Sequence, residues 1–175
     1  MTKYIAFLRV INVGGHTVKM DQLKKLFESL ELSNVETFIA SGNVIFEANI
    51  KNASTLEKKI ADYLEKELGY GVDTFVRTIQ EVIEIEKQCP FTPKKKDDNV
   101  YISFLHETLD KEKTDTLRAL KNKNNNFALI GKEIYWLRLN RDDSIFLKSS
   151  LEKLLKVSST NRNITTINKI IQKYE

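Results

Sequence analysis

The sequence is poor in residues that cross-link or punctuate a chain. Its 175 residues include one cysteine, two prolines and six glycines. The single cysteine, Cys89, excludes an internal disulfide and a cysteine-based metal site. So few prolines and glycines leave no room for a long flexible linker. The two histidines, His16 and His106, lack metal-ligand spacing, so we predict neither a metal nor a cofactor.

Long hydrophobic runs are also missing. No stretch approaches the roughly 18 apolar residues of a membrane-spanning helix, and the N-terminal apolar run is too short for a signal peptide. We therefore expect a soluble cytoplasmic protein without a membrane partner. The net charge of +4 comes mainly from lysines scattered along the chain, which is more typical of a solvated surface than of a nucleic-acid-binding stripe.

The first half of the chain alternates short apolar strands with amphipathic helices. Strands are predicted at 3–10, 35–40, 44–48 and 72–77, and helices at 20–30 and 52–68. Ser54 followed by Glu57 has the pattern of a capping box at the start of the second helix, and Gly69 ends that helix. The order β-α-β-β-α-β predicts a ferredoxin-like domain over residues 1–78.

A helix and a charged loop over residues 79–98 lead to a second α+β domain at 99–175. Its strands are predicted at 100–105, 127–130 and 133–139, and its helices at 109–120 and 147–157, followed by a C-terminal helix. The polar residues 158–163 are interpreted as the entry into that last helix, and capping explains most of this cluster but not the arginine inside it. The predicted fold class is α+β, with two ferredoxin-like α/β-sandwich halves, antiparallel sheets and C-terminal helices, although no residue-level repeat is visible.

The predicted topology brings three glycine-bearing connections to one edge of the first sheet. In a ferredoxin-like sheet the first and second strands are parallel, and the third lies antiparallel between them. The loop after the first strand (10–15), the hairpin turn at 41–43 and the turn at 69–71 should therefore lie close together.

Three motifs resemble those of a known family. They are the Arg9–Gly15 run RVINVGG, the Ser41–Phe46 hairpin SGNVIF and the late Arg162–Lys169 segment. Together they resemble the bacterial domain-of-unknown-function family 1697, and the resemblance covers essentially the whole chain. It implies a bacterial protein and supplies no established activity. Val10 departs from the family pattern, which usually has glycine there, and this weakens any role that needs close backbone approach at that position.

Two groups of residues are candidates for a ligand site. The first group could hold an anion through backbone N–H groups, positive charge and the start of a helix, although neither nucleotide-binding fingerprint is met. It comprises Arg9, Asn12, Gly14, Gly15, Lys19, Ser41, Gly42 and Asn43. The second group could complete the site if the last helix packs on the first half. It comprises Arg162, Asn163, Thr165 and Lys169. The alternative is structural: glycines turn corners, and Thr165 and Lys169 form an exposed helix face.

No catalytic constellation is recognisable. His16 could act as an acid or base, but a lone loop histidine is more often simply solvated. Cys89 has no neighbouring cation in the sequence to lower its pKa, and Ser41 lies in a hairpin rather than a nucleophile elbow. Of Tyr135 and Trp136, at least one is predicted in the core, and an exposed stacking platform is the alternative.

Three functional hypotheses follow. The first is a small binding module for an anionic, phosphate-bearing ligand, either a nucleotide or a nucleic-acid backbone. The second is an enzyme that uses the same edge on a phosphorylated substrate. The third is a structural or protein-interaction module, for instance a homodimer, because ferredoxin-like sheets often associate and fold alone does not decide function.

Overall fold

The computed structural model describes residues 1–12, 14–39, 42–139 and 150–175. The chain divides into two compact units, Met1–Val82 with Tyr174–Glu175 and Ile83–Lys173. The domain boundaries that we drew from the sequence stay a prediction. The two-sheet α+β fold itself is confirmed, because each unit is built on one four-stranded antiparallel sheet.

The first unit has the order β-α-β-β-α-β. Its elements are β1 (Thr2–Leu8), α1 (Met20–Glu28), β2 (Ser33–Thr37), β3 (Asn43–Ala48), α2 (Ala53–Leu68) and β4 (Thr74–Thr78). The strand order is β2-β3-β1-β4, and all neighbours are antiparallel. The end of β1, the end of β2 and the start of β4 therefore lie at the same edge of this sheet.

Apolar periodicity explains how these elements pack. Leu56, Ile60 and Leu64 recur every four residues along α2 and are completely buried. Leu23 and Phe27 do the same on α1. Both helices contribute to one core cluster with alternate residues of the sheet, whose members include Tyr4, Ala6, Leu8, Val44 and Phe46. This core fixes the strand ends from which the connections emerge.

The remaining elements repeat the same order. They are α3 (Ile79–Lys87), β5 (Asn99–Phe104), α4 (Lys111–Ala119), β6 (Asn125–Ile130), β7 (Glu133–Arg138), α5 (Leu151–Leu155), β8 (Thr160–Asn163) and α6 (Ile164–Tyr174). The second sheet has the order β6-β7-β5-β8. The core of this unit includes Leu117 of α4, Ile134 of β7, and Leu151 and Leu155 of α5.

The two sheets share an equivalent pair of residues. Ile5 of β1 pairs with Arg77 of β4, and Ile102 of β5 pairs with Arg162 of β8. Each arginine is buried and donates from Nη1 to the carbonyl of the residue before it, at 2.8 Å in both cases. In each unit a helix follows the fourth strand directly. The two units are therefore structural repeats.

The interpretation of residues 158–163 as the capped entry into the last helix is incomplete, because these residues also include a strand. Thr160–Asn163 pairs with β5 as the fourth strand of the second sheet. The hydropathy pattern did not reveal this strand because its inward residues, Thr160 and Arg162, are polar. Both are buried and bonded to each other, from Arg162 Nη1 to Thr160 Oγ1 at 2.8 Å.

The predicted side-chain cap of α2 is wrong. The Asn52 side chain, rather than that of Ser54, accepts hydrogen bonds from Ser54 N and Thr55 N. Glu57 does not reach back to the cap, because it lies on the buried side of α2. Its Oε1 instead accepts a 2.9 Å hydrogen bond from Val76 N and lies 3.4 Å from Arg77 Nη1. Gly69 ends the helix at φ 79°, as predicted.

The helix predicted at 147–157 is described only in part. Residues 140–149 lie outside the described residues, and α5 occupies Leu151–Leu155. The other predicted elements are present, with ends that differ by a few residues.

Candidate functional site

Three connections of the first unit meet at the edge where β1 ends. Leu8 N donates to Gly42 O at 2.8 Å, which ties the end of β1 to the turn before β3. Arg9 N donates to Asp73 O at 2.9 Å, which ties the same loop to the segment that enters β4. The Tyr70 hydroxyl donates to Ile11 O at 3.1 Å. We call this region the loop edge and define it as residues 9–12, 14–19, 42–43 and 69–73.

The loop after β1 has an unusual backbone at its start. Val10 has φ 63°, although β-branched residues are strongly disfavoured in this region. The family motif usually has glycine at this position, and the left-handed backbone gives a physical reason for it, because glycine adopts this conformation without strain. Ile39, in the connection that follows β2, is also β-branched and has φ 58°. Two strained residues therefore lie in two of the converging connections.

Asn12 closes the second part of the same loop. Its Oδ1 accepts a 2.7 Å hydrogen bond from Val18 N, six residues further along the chain. Between them, Gly14 and Gly15 are exposed, and no atom lies within 4 Å of the position that a Cβ would occupy on either. This gives Asn12 a structural role, and it leaves the two glycines accessible to a ligand.

Gly42 is required by close packing. A Cβ at this position would lie 2.7 Å from Ile11 Cγ2 and 3.1 Å from Leu8 Cβ, and the residue has φ 77°. The next residue, Asn43, is the first residue of β3 and is completely buried. Its Nδ2 donates to Phe38 O at 3.0 Å, so its side chain closes the turn. The other candidate of this turn, Ser41, lies outside the described residues.

A cavity of about 320 Å³ opens beside Arg9. Its polar lining combines the half-buried Arg9 with two carboxylates, Glu65 of α2 and Asp73. Gly71 and Val72 complete the wall on the side of β4. Because two acidic groups accompany one basic group, a phosphate is better accommodated at the exposed glycines than deep in this cavity.

Lys19 immediately precedes α1 and is exposed. It occupies the N-cap position, and its side chain makes no capping hydrogen bond. An ammonium group cannot accept a hydrogen bond, so it leaves the first backbone N–H groups of the helix to solvent or to a ligand. The candidate residues therefore place a positive charge next to backbone donors.

Sequence reasoning missed an aromatic pair at this edge. The rings of His16 and Tyr70 stack with their centroids 3.8 Å apart and their planes at 22°. Tyr70 follows the glycine that ends α2, and His16 is exposed. From the sequence, His16 was interpreted as a solvated loop residue, with an acid or base as the alternative. The topology placed both residues in converging connections, but no sequence pattern pairs a loop histidine with a distant tyrosine.

The second group of candidates lies in the second unit. Arg162 is 7% exposed, and burial lowers the pKa of its guanidinium to about 10. Asn163 caps α6, since its Oδ1 accepts from Thr165 N at 2.8 Å, and its Nδ2 donates to Asn99 Oδ1 at 3.3 Å. Thr165 and Lys169 are exposed on α6. That this group completes a site with the loop edge stays a prediction.

The second unit has a cavity at the equivalent edge. It has a volume of about 310 Å³ and lies between the loop after β5 and the segment that enters β8. Polar residues of its lining include His106, Glu107, Asp110 and Ser158. Asp110 caps α4 by accepting from Lys113 N at 2.8 Å. In this region Leu105 N donates to Lys132 O at 3.0 Å, as Leu8 N donates to Gly42 O in the first unit.

Two further groups are part of the protein interior. Trp136 is 8% exposed and Tyr135 is fully buried, so the core role is confirmed and Trp136 is not an exposed stacking platform. Trp136 Nε1 donates to Asn125 Oδ1 at 2.8 Å. Cys89 is half-buried, and burial raises the pKa of its thiol above 9.0, which favours the inert neutral form.

Two features are absent from the described residues. In the part of the chain that the structure describes, no three His, Cys, Asp or Glu residues are grouped to hold a metal ion. Among the same residues, no helix is both long and apolar enough to cross a membrane.

Comparisons with known proteins agree with the fold and with the family resemblance. The model of the family "Protein of unknown function (DUF1697)" matches residues 1–135. The solved structure of the conserved bacterial protein SP0830 from Streptococcus pneumoniae is similar over 99% of this chain and 98% of that chain, with a TM-score of 0.74 and 27% sequence identity. No curated protein matches the chain.

Proposed function

This chain belongs to the DUF1697 family of proteins of unknown function, and we propose that it is a small binding module that holds an anionic, phosphate-bearing ligand at the loop edge. The ligand is a nucleotide or a nucleic-acid backbone. One observation carries the proposal: α1 begins at an exposed lysine with no side-chain cap, directly after a loop that contains two exposed glycines.

Charge and backbone geometry support this function together. Lys19 supplies a positive charge, and the first N–H groups of α1 supply donors at the positive end of the helix dipole. Gly14 and Gly15 leave open space for the phosphate oxygens to approach the backbone. Arg9, in the wall of the neighbouring cavity, adds a second positive charge at the same edge.

The structural hypothesis accounts for part of the edge. Asn12 and Asn43 make loop-closing hydrogen bonds, and Gly42 is needed for packing. Substitution of these residues would disturb the edge itself, so they are unsuitable for testing ligand binding. Lys19, which is exposed and makes no capping bond, is the informative position.

The test is a thermal-shift titration of the wild type, Lys19→Ala and the control Lys25→Ala against inorganic phosphate, AMP and short RNA. A ligand at about 100 times its Kd should stabilise the wild type by about 2.7 kcal/mol, or roughly 5 to 10 °C. We expect Lys19→Ala to lose most of this shift while its unliganded Tm is unchanged. Lys25 is an exposed lysine further along the same helix, and its replacement should preserve the shift.

Three outcomes distinguish the hypotheses. A shift by RNA that falls steeply with salt would identify a nucleic-acid backbone as the ligand, because phosphate contacts release counterions. No thermal shift with any of the ligands, or equal shifts in Lys19→Ala and wild type, would contradict a phosphate site at this edge. Turnover of a phosphorylated compound would move the assignment to an enzyme. A cytoplasmic location and a homodimer stay predictions.

A further inference from the structure

We propose that the ligand of the loop edge is a mononucleotide whose base stacks on the His16 ring and extends the His16–Tyr70 pair. This inference rests on the proposed function, because it adds a planar ring to the phosphate-bearing ligand. It gives a role to the His16–Tyr70 pair, which the topology brings to this edge.

Tyr70 provides a fixed base for the stack. Its hydroxyl donates to Ile11 O at 3.1 Å, so the ring is held against the loop after β1 at one end. At the other end its backbone follows Gly69, the left-handed residue that terminates α2. A phenol held at both ends is preorganised, so a ligand does not have to order it on binding.

His16 is positioned as the accessible layer. Its ring lies 3.8 Å from the Tyr70 ring, centroid to centroid, with 22° between the planes. Tyr70 covers one face of the imidazole, and His16 is nevertheless exposed. A planar ligand can therefore continue the stack on the side that faces away from Tyr70, as bases do on aromatic side chains of nucleic-acid-binding proteins.

The spacing along the chain matches the parts of a mononucleotide. Gly14 and Gly15 immediately precede His16, and Lys19 follows three residues later. Three residues of chain span at most about 10 Å, which is of the order of the distance between the base and phosphate ends of a mononucleotide. A base on His16 therefore leaves the phosphate within reach of the start of α1. A longer nucleic acid is not required.

The charge distribution favours a single nucleotide with one terminal phosphate. Glu65 and Asp73 line the cavity beside Arg9, whose wall includes Gly71, the residue after Tyr70 in the chain. These carboxylates would repel a second phosphate at that cavity. Lys19, three residues after His16, provides the positive charge where we place the phosphate.

Binding measurements on the full chain test this inference. We would measure the Kd of AMP, ribose 5-phosphate and adenosine by titration calorimetry for the wild type and for His16→Ala. Stacking of one base on an aromatic side chain typically changes affinity by about 5- to 100-fold. We expect AMP to bind the wild type at least about 10-fold more tightly than ribose 5-phosphate. His16→Ala should remove this difference and leave the affinity for ribose 5-phosphate unchanged.

Matched variants separate stacking from other roles of the imidazole. His16→Phe keeps a planar ring and should retain the preference for AMP. The chain has only two histidines, so His106→Ala is the control for the loss of an imidazole elsewhere, and it should behave like the wild type. In proton NMR, AMP should shift the His16 ring resonances upfield through the ring current of the base, whereas ribose 5-phosphate should not.

The failure of this inference can be told apart from the failure of the phosphate site. Equal affinities of the wild type for AMP and ribose 5-phosphate, or a preference for AMP that survives His16→Ala, would overturn the stacking and leave the phosphate site intact. Binding of adenosine that depends on His16, without any binding of ribose 5-phosphate, would keep the stacking and overturn the phosphate site. No binding of any of the three would overturn both.

Discussion

At the scale of single residues, Val10 shows how a side chain can conflict with its backbone. It has φ 63°, a region in which an L-residue with a branched Cβ is strained. The hydrogen bonds of its neighbours Leu8 and Arg9 to two other connections hold the loop in this conformation. The surrounding contacts therefore override the local preference of valine, at a cost in stability.

Val10→Gly should raise the free energy of unfolding by about 1 kcal/mol. The left-handed region costs an ordinary residue about 1–2 kcal/mol, and the greater chain entropy of glycine in the unfolded state offsets part of the gain. We expect a Tm about 2 to 4 °C higher, measured by urea and thermal unfolding. Ile39→Gly, at φ 58° and 44% exposed, should also be stabilising. Destabilisation by both variants would show that the positive φ values carry no strain.

The titration of the Cys89 thiol tests the effect of burial on its pKa. Burial raises its pKa above the ordinary 9.0, and the nearby Glu86 adds to the effect, while a hydrogen bond with the Phe91 backbone opposes it. Its neutral form thus contributes stability that is present below pH 9.0 and is lost as the pH rises through the raised folded pKa.

Alkylation by iodoacetamide should show this shift directly, since Cys89 is the only thiol. We expect the folded protein to react more slowly at pH 8 than the urea-unfolded protein, with an apparent pKa above 9.0. In urea the apparent pKa should return to the ordinary value. A folded-state midpoint below 9.0 would contradict the burial argument and would indicate a reactive thiol.

At the scale of elements, α2 shows why a cap can be misassigned from sequence. Both Asn52 and Ser54 are residue types that cap helices, and Glu57 has the correct spacing from Ser54 for a capping box. The tertiary structure decides between them, because Glu57 is buried and bonds to Val76 N of β4. The Glu57 carboxylate bonds to the sheet and does not cap the start of the helix. The Asn52 side chain provides the cap, and the helix begins one residue after it.

Asn52→Ala should therefore destabilise the protein by about 1 kcal/mol, the usual cost of losing a side-chain cap. Ser54→Ala, at an exposed first-turn position, should change the free energy of unfolding by less than about 0.5 kcal/mol. Urea unfolding of the two variants in parallel measures both values. A larger loss in Ser54→Ala than in Asn52→Ala would restore the cap predicted from the sequence.

At the scale of the whole molecule, the same order of strands and helices occurs in both units, with different residues in the connections at the sheet edges. Leu8 and Leu105 each donate from N to the turn between the second and third strands, at Gly42 and Lys132 respectively. In the first unit the turn packs against the loop after β1 so closely that a Cβ on Gly42 would lie 2.7 Å from Ile11 Cγ2. At the equivalent position of the second unit, Lys132 carries a full side chain.

This difference predicts unequal sensitivity of equivalent positions. Gly42→Ala should cost about 2 to 4 kcal/mol, from the left-handed backbone and from the steric conflict together. Lys132→Ala should change the free energy of unfolding by less than about 0.5 kcal/mol. Denaturant unfolding of the two variants tests the pair. Equal effects would show that the close approach at Gly42 is relieved at little cost.

The amino-acid pattern alone determined much of this protein. Apolar periodicity placed α2 through Leu56, Ile60 and Leu64, and the order of the elements predicted the ferredoxin-like topology. The topology in turn predicted that Gly14, Gly42 and Gly71 lie at one edge. These features follow from local periodicity and from chain connectivity, which are both present in the sequence.

Only the tertiary structure decided the roles of the polar residues. Helix capping did not account for Arg162 in the sequence, and pairing with β5 places it in a strand at the position of Arg77 in the first unit. His16 and Tyr70 lie far apart in sequence, and they stack because the ends of β1 and α2 meet at the loop edge. A polar side chain can satisfy its hydrogen bonds in many ways, and the partner that it finds depends on which distant segments the fold brings within reach.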